Sequence, residues 1–174
     1  MARNVEIKAR LRDAADVARV HERAVTLADH GPELIEQDDT FFACAEGRLK
    51  LRAFADGSGE LIAYRRTDVN GPKTSDYRIA PVGDSIVLRE TLAWSLGVTG
   101  RVIKQRTLYL VGRTRVHVDR VEGLGDFLEL EVVLRDGEPQ AHGVAEARVL
   151  LERLGVAADA LVAGAYVDLL RAGR

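Results

Sequence analysis

The sequence predicts an α+β fold: an antiparallel sheet of about eight strands, closed or nearly closed into a barrel, with helices packed outside. Three observations predict it. Polar and apolar residues alternate in separate segments, Asn4 to Arg12, Arg48 to Arg52, Arg113 to Asp119 and Phe127 to Val132, and a strand sends successive side chains to opposite faces. Hairpin-type residues such as Asp56-Gly57-Ser58-Gly59 and Gly112-Arg113 join neighbouring segments, as antiparallel pairing requires. Helical spacing of apolar residues is confined to two interruptions and the last third of the chain. A sheet of this many strands tends to curl or close, because closure removes its edges.

The elements follow in order. Asn4 to Arg12 is the opening strand, and Asp13 caps a helix through His30, with Val17, Val20, Ala24 and Leu27 at helical spacing and Gly31-Pro32 as the stop. Glu36 to Phe42 reads as a short strand and Arg48 to Phe54 as the next. The Asp-Gly turn pairs that strand with Glu60 to Arg66. Asp68 to Pro72 forms a loop, and Tyr77 to Pro81 a short extended segment. A second helix opens at Gly83-Asp84-Ser85 and ends at Gly97, with Ile86, Leu88, Leu92 and Leu96 inward and Trp94 packed. Strands Val102 to Val111, Arg113 to Val121 and Phe127 to Arg135 follow, and then helices Pro139 to Leu154 and Ala158 to Arg171.

The 174 residues are read as one compact domain spanning 1–174. With 25 basic and 27 acidic residues the formal net charge is −2, which removes the bulk electrostatic case for a nucleic-acid or membrane partner. The sole cysteine, Cys44, forms no internal disulfide and is expected to be a small, at least half-buried residue. No apolar signal core precedes the first strand and no apolar run could span a bilayer, so a cytoplasmic location is expected. His21, His30 and His142 are expected at the surface.

The polar faces are expected to point inward. The helices supply apolar stripes to cover the outside of the sheet, which leaves the charged face for the interior. Buried cations are costly unless anions meet them, and the carboxylates look too few for Lys8, Arg10, Lys50, Arg52, Arg65, Lys104, Arg106 and Arg115. A polyanionic ligand would complete the balance. Glu129 and Glu131 share a face, and Glu6 shares parity with Lys8. Hard oxygen donors of this kind suit Mg²⁺ or Mn²⁺ bridging phosphate oxygens.

Asn4-Val5-Glu6-Ile7-Lys8 resembles the Glu-x-Glu-x-Lys opening of the CYTH superfamily, the triphosphate tunnel metalloenzymes. Further matches run in the family's order: Lys50-Leu51-Arg52, Tyr64-Arg65, Lys104-Gln105-Arg106, Asp119, then Gly123-Leu124-Gly125-Asp126-Phe127 leading into Glu129 and Glu131, and Ala165 to Leu170 as the closing helix. The glycine turn resembles the class IV adenylyl cyclase branch. The resemblance implies an eight-stranded tunnel holding a triphosphate-bearing small molecule with Mg or Mn. Glu6, Asp119, Glu129 and Glu131 would bind metal, and Lys8, Lys50, Arg52, Arg65, Lys104 and Arg106 would grip phosphate. The catalytic set drawn from these is Glu6, Lys8, Arg106 and Glu129. Arg115 and His117 join the substrate-binding set by their shared parity with Asp119. A homodimer is also implied.

This sequence departs from the family pattern in three places. Asn4 stands where the family has its first glutamate, which keeps an oxygen but loses a charge. The family's strand lysine falls at Arg65 or Arg66, and parity with Leu61 and Ala63 selects Arg65. Ser75 lies about where the family carries an arginine. Three functions remain open at this level: cyclisation of ATP to cyclic AMP and pyrophosphate, hydrolysis of thiamine triphosphate, tripolyphosphate or a nucleotide, and non-catalytic binding of polyphosphate or an organophosphate. The first two differ in nucleophile, a ribose hydroxyl or water.

Overall fold

The computed structural model describes residues 2–66 and 72–173. The elements in order are β1 (Ala2–Leu11), α1 (Ala14–Leu27), β2 (His30–Phe42), β3 (Arg48–Ala53), β4 (Gly59–Arg66), β5 (Lys73–Val82), α2 (Ser85–Leu96), β6 (Val98–Val111), β7 (Thr114–Val121), β8 (Gly125–Val133), α3 (Gln140–Arg153), a 3₁₀ turn (Ala158–Ala160) and α4 (Tyr166–Ala172). The strands close into a barrel in the order β1-β5-β4-β3-β2-β6-β7-β8, with β8 returning to β1. Every pairing is antiparallel.

The alternation in β1 divides the molecule. Val5, Ile7, Ala9 and Leu11 point outward into the main apolar core, together with Val20 and Ala24 of α1, Leu128 and Leu130 of β8, and Ala147, Leu150 and Leu151 of α3. The hydrophobic core therefore lies between the outer barrel wall and the helices. Asn4, Glu6 and Lys8 take the inner face and are buried there. A second apolar cluster, Phe41, Val102, Val121, Phe127, Ala165, Tyr166 and Val167, seats α4 across one end of the barrel. Asp13 caps α1 by accepting a 2.8 Å hydrogen bond from the Asp16 amide. Gly143 lets α3 lie close on β1: a Cβ there would stand 2.8 Å from side-chain carbons of Val5 and Leu134.

The architecture is the expected one, and several boundaries move. α1 stops at Leu27 and β2 begins at His30, because β6 offers a long pairing edge that the Asp29 amide already joins by bonding the Leu110 carbonyl. β5 is longer than expected, pairing with β4 along its length and with β1 at its start. The last third holds one long helix, α3, and then only the 3₁₀ turn and the short α4. Between them, Val162 hydrogen-bonds the Lys8 carbonyl and the chain extends over the barrel end. The expected loop at 68–71 falls outside the described residues.

α2 is less amphipathic in its packing than its sequence suggests. Leu88 and Leu92 are half-buried, whereas Ile86 and Leu96 are exposed and Trp94 is 91% exposed rather than packed. Its apolar residues fall on more than one side, so contact with β2 and β3 covers only some of them. Cys44 is also exposed, in the β2–β3 connection. No helix among the described residues is long and apolar enough to cross a membrane.

Leu130 is fully buried on the outer wall. Leu130→Ala is expected to lower unfolding free energy by about 2–5 kcal/mol, the usual cost of a buried leucine truncation, as measured by denaturant titration.

Candidate functional site

The barrel encloses a cavity of about 380 Å³, lined among the described residues by six cations and five carboxylates with His117 among them. The interior is thus nearer to neutrality than the sequence suggested. What matters is where the charges sit. Register places Lys8 opposite Glu129, Glu6 opposite Glu131, His117 opposite Glu129 and Arg115 opposite Glu131, so β1, β7 and β8 form an acid-bearing wall. Register places Asp39 opposite Arg52, and Gln37 opposite Lys104, so β2, β3 and β6 form a basic wall.

The basic wall is organised by one carboxylate. Asp39 receives Lys50 Nζ at 2.7 Å, Arg52 Nε at 2.9 Å and Nη2 at 3.1 Å, and Lys104 Nζ at 3.4 Å. Burial would raise the Asp39 carboxyl, but Arg52, Lys104 and Lys50 outweigh it and hold the group well below the usual range. The two lysines of this group are lowered as well, which for them favours the neutral form. Burial, then the neighbouring Arg52, pushes Lys50 down to about 7, against the pull of Asp39. Lys104 is also lowered, first by burial. Three cations around one anion, one of them buried and two half-buried, leave an excess of positive charge, which a second anion would relieve.

From β6, Arg106 reaches the acid-bearing wall and donates to both oxygens of Asp119 at 2.7 and 2.6 Å and to Glu129 Oε2 at 2.8 Å. Lys8 Nζ lies 3.3 Å from Glu129 Oε1 and 3.8 Å above the ring of Tyr166. The Tyr166 hydroxyl donates to Asp119 Oδ2 at 2.8 Å; burial and then Asp119 and Glu129 push its pKa well up. Arg115 pairs with Glu131 Oε2 at 2.9 Å. Burial opposes ionisation of Glu129, yet Lys8, His117 and Arg106 hold its carboxyl well below its ordinary value. Such a carboxylate keeps its charge at neutral pH and accepts a proton poorly, so it suits holding a cation better than general-base chemistry.

Among the described residues, His117, Glu129 and Glu131 form a group whose ligand atoms all lie within 4.8 Å of one another. The donor set fits a divalent cation, because the His117 Nδ1 is buried without a hydrogen-bond partner beside two carboxylates. Glu6 lines the same cavity but stands outside that group, and Asp119 is fully buried with both oxygens on Arg106.

Of the sequence-predicted site residues, Glu6, Lys8, Lys50, Arg52, Lys104, Arg106, Arg115, His117, Glu129 and Glu131 line one cavity. Arg65 does not. It is exposed and ion-paired with Glu46, and the inward positions of β4 are Glu60, Ile62 and Tyr64. β4 is apolar on both faces around Leu61-Ile62-Ala63, so parity within the strand could not tell inside from outside. The register with β3 does, pairing Lys50 with Ile62 and Arg52 with Glu60. Sequence reasoning missed Asp39, Lys73 and Tyr166. Asp38 beside Asp39 hides which carboxylate points in; Lys73, 2% exposed, sits opposite Glu6 in register. Nothing in a short closing helix marks Tyr166 as reaching Asp119.

Asp39→Asn is expected to destabilise the fold by about 3–5 kcal/mol, the usual cost of breaking a buried ion pair. Added tripolyphosphate should raise the melting temperature of this variant more than that of the unaltered protein. Equal shifts in thermal scans of the two would show that the cations do not need an anion at this point.

The comparisons with known proteins agree with this geometry. No curated protein sequence matches the chain. Its fold is similar to that of the PH1012 protein of Pyrococcus horikoshii, at 21% identity and a TM-score of 0.82, over 96% of this chain and 99% of that one. It is also similar to a candidate adenylate cyclase of Vibrio parahaemolyticus, at 15% identity and a TM-score of 0.72, over 97% of each chain. HpAC1 of Hippeastrum, a candidate adenylyl cyclase with a dominant triphosphatase activity, matches at 16% identity and a TM-score of 0.71, over 98% of this chain and 96% of that one. At such identities the likeness is one of fold. The CYTH domain model matches residues 2–166, nearly the whole length over which the barrel and its end-closing segment are built, and the chain therefore belongs to the CYTH family.

Proposed function

We propose that the protein is a metal-dependent enzyme acting on a triphosphate held inside the barrel, with conversion of ATP to cyclic AMP and pyrophosphate as its reaction. The observation that carries this reading is the division of one 380 Å³ cavity into a cation-rich wall around Lys50, Arg52 and Lys104 and an acid-bearing wall around Glu129 and Glu131. A triphosphate with a divalent cation is complementary to both at once.

In this reading Lys50, Arg52 and Lys104 hold the phosphate tail, and Lys8 and Arg106 meet the charge that develops at the reacting phosphorus. Phosphoryl chemistry asks for alignment and charge stabilisation more than for covalent catalysis, and preorganised cations around the substrate supply both. Glu129 and Glu131, with Glu6 beside them, would hold Mg²⁺ or Mn²⁺, which when bound supplies Lewis-acid charge at the phosphate oxygens. Asp119 contributes through Arg106, which it grips with both oxygens. The ribose 3′-hydroxyl gives up its proton to solvent water as its oxygen bonds the α-phosphorus, the bond from that phosphorus to the α–β bridging oxygen breaks, and pyrophosphate leaves. Ile35, Phe54, Ile79 and Leu108 add apolar lining to the cavity, which suits the organic part of a nucleotide better than inorganic tripolyphosphate. Hydrolysis is the second reading, favoured by the likeness in fold to HpAC1 with its dominant triphosphatase activity.

The test is a panel of ATP, GTP, thiamine triphosphate and tripolyphosphate with Mg²⁺ or Mn²⁺, following cyclic nucleotide, pyrophosphate and orthophosphate. Cyclic AMP with pyrophosphate, lost in Glu129→Ala, is the expected outcome. Orthophosphate as the sole new product makes the protein a triphosphatase. Tight binding without turnover makes it a binder.

Lys50 supplies an independent prediction. Its pKa near 7 leaves it mostly neutral at pH 8, and an arriving phosphate raises its proton affinity. Tripolyphosphate binding at pH 8 should therefore take up about one proton, read from calorimetry in buffers of different ionisation enthalpy, and Lys50→Met should abolish the uptake. The same shift has a stability consequence. Between about 7 and 10.5 the unfolded chain holds this proton and the folded one does not, so this group's contribution to stability rises with pH across that window.

A further inference from the structure

We propose that His117 is a direct protein ligand of the divalent cation, completing with Glu129 and Glu131 a site of one imidazole nitrogen and two carboxylates that prefers a first-row transition-metal ion to Mg²⁺. The inference rests on the reading that this cavity holds a divalent cation, and adds which atoms hold it and which class of metal they select.

The histidine is 4% exposed and its Nδ1 has no hydrogen-bond partner. A buried ring nitrogen left unsatisfied costs free energy, so its position needs a reason. Nδ1 lies 3.9 Å from Glu129 Oε2 and 4.0 Å from Glu131 Oε1. Those distances are too long for hydrogen bonds. They are what a shared ion would leave, since two donors bound to one metal at about 2.2 Å each stand at most about 4.4 Å apart. All three donors fall within 4.8 Å of one another, so closing on one ion needs only small side-chain movements.

The surroundings point the same way. The two carboxylates are oriented from outside the group: Glu129 by Lys8 at 3.3 Å and Arg106 at 2.8 Å, Glu131 by Arg115 at 2.9 Å. Outer partners of this kind fix the direction of metal ligands. Glu6 lies opposite Glu131 in register and lines the same cavity, but it falls outside the close group that His117 forms with Glu129 and Glu131. Asp119 has both oxygens engaged by Arg106 and one also by Tyr166, and position 4 carries a neutral asparagine. Within that group a neutral imidazole supplies the third donor without adding a buried charge. It also changes the selectivity, because Mg²⁺ favours oxygen donors and retained waters, whereas an imidazole nitrogen strengthens binding of transition metals.

The test uses the whole metal-stripped protein and Mn²⁺ and Mg²⁺ as probes. Pulsed electron paramagnetic resonance of the Mn²⁺-loaded, unaltered protein is expected to show coupling to a directly bound imidazole nitrogen, absent in His117→Gln. Calorimetric titration should show the ratio of Mn²⁺ to Mg²⁺ affinity falling by about tenfold or more in His117→Gln, at the lower end of what site perturbations cost, because a nitrogen donor has been exchanged for an oxygen. A Mn²⁺ spectrum without nitrogen coupling overturns the proposal, and that measurement needs no variant to fold. If Mn²⁺ binds, is lost in Glu129→Gln, and keeps its selectivity in His117→Gln, the metal-dependent reading stands and the histidine ligand falls. If no Mn²⁺ binds, with or without tripolyphosphate, both fall.

Discussion

The contact on which the rest of the arrangement depends is the one between Asp39 and the three cations Lys50, Arg52 and Lys104. A closed barrel lined by this many ionised side chains is a poor structure unless the charges are met, since an unpaired buried charge costs several kcal/mol. Asp39 meets them on the basic wall and Glu129 does the same for Lys8 and Arg106 opposite. On the basic wall three cations share one carboxylate, which leaves an excess of positive charge. That excess is the physical basis for reading the cavity as a place for a polyanion.

The location of the apolar core follows from the same constraint. With charge inside the barrel, the burial that stabilises the fold has to come from the outer wall. Val5, Ile7, Leu128 and Leu130 supply it against α1 and α3. The helices are therefore structural counterparts of the cavity: they allow the inner face to be polar. α4 plays a different part. It seats Tyr166 over the barrel end, where the ring covers Lys8 and lies 5.5 Å from Lys104 Nζ and the hydroxyl reaches Asp119, so the closing segment touches both walls of the site.

Several interior groups are held in protonation states unlike those of free side chains. Lys50 sits near 7 and Glu129 well below the usual carboxylate range. Burial disfavours the charged form of both, and the neighbours decide the outcome: the cations beside Lys50 add to the effect of burial, whereas Lys8, His117 and Arg106 override it at Glu129. The interior therefore keeps Glu129 charged while one of its lysines is easily discharged.

The strand alternation, the turn residues and the ordered motifs determined the barrel, the inward face of β1, β3, β7 and β8, and ten of the cavity residues, because period-two patterning reports side-chain direction directly wherever one face is apolar. Tertiary structure decided the rest, for a physical reason visible at each position. β4 is apolar on both faces, so only its register against β3 showed that Arg65 faces outward. Adjacent aspartates in β2 left the inward one ambiguous until pairing with Arg52 selected Asp39. Trp94 stayed exposed because α2 has little to pack against, and Tyr166 reached the site through a short helix with no pattern of its own. Alternation is a local property of the chain, whereas pairing partners, helix coverage and long-range contacts depend on which segments closure brings together.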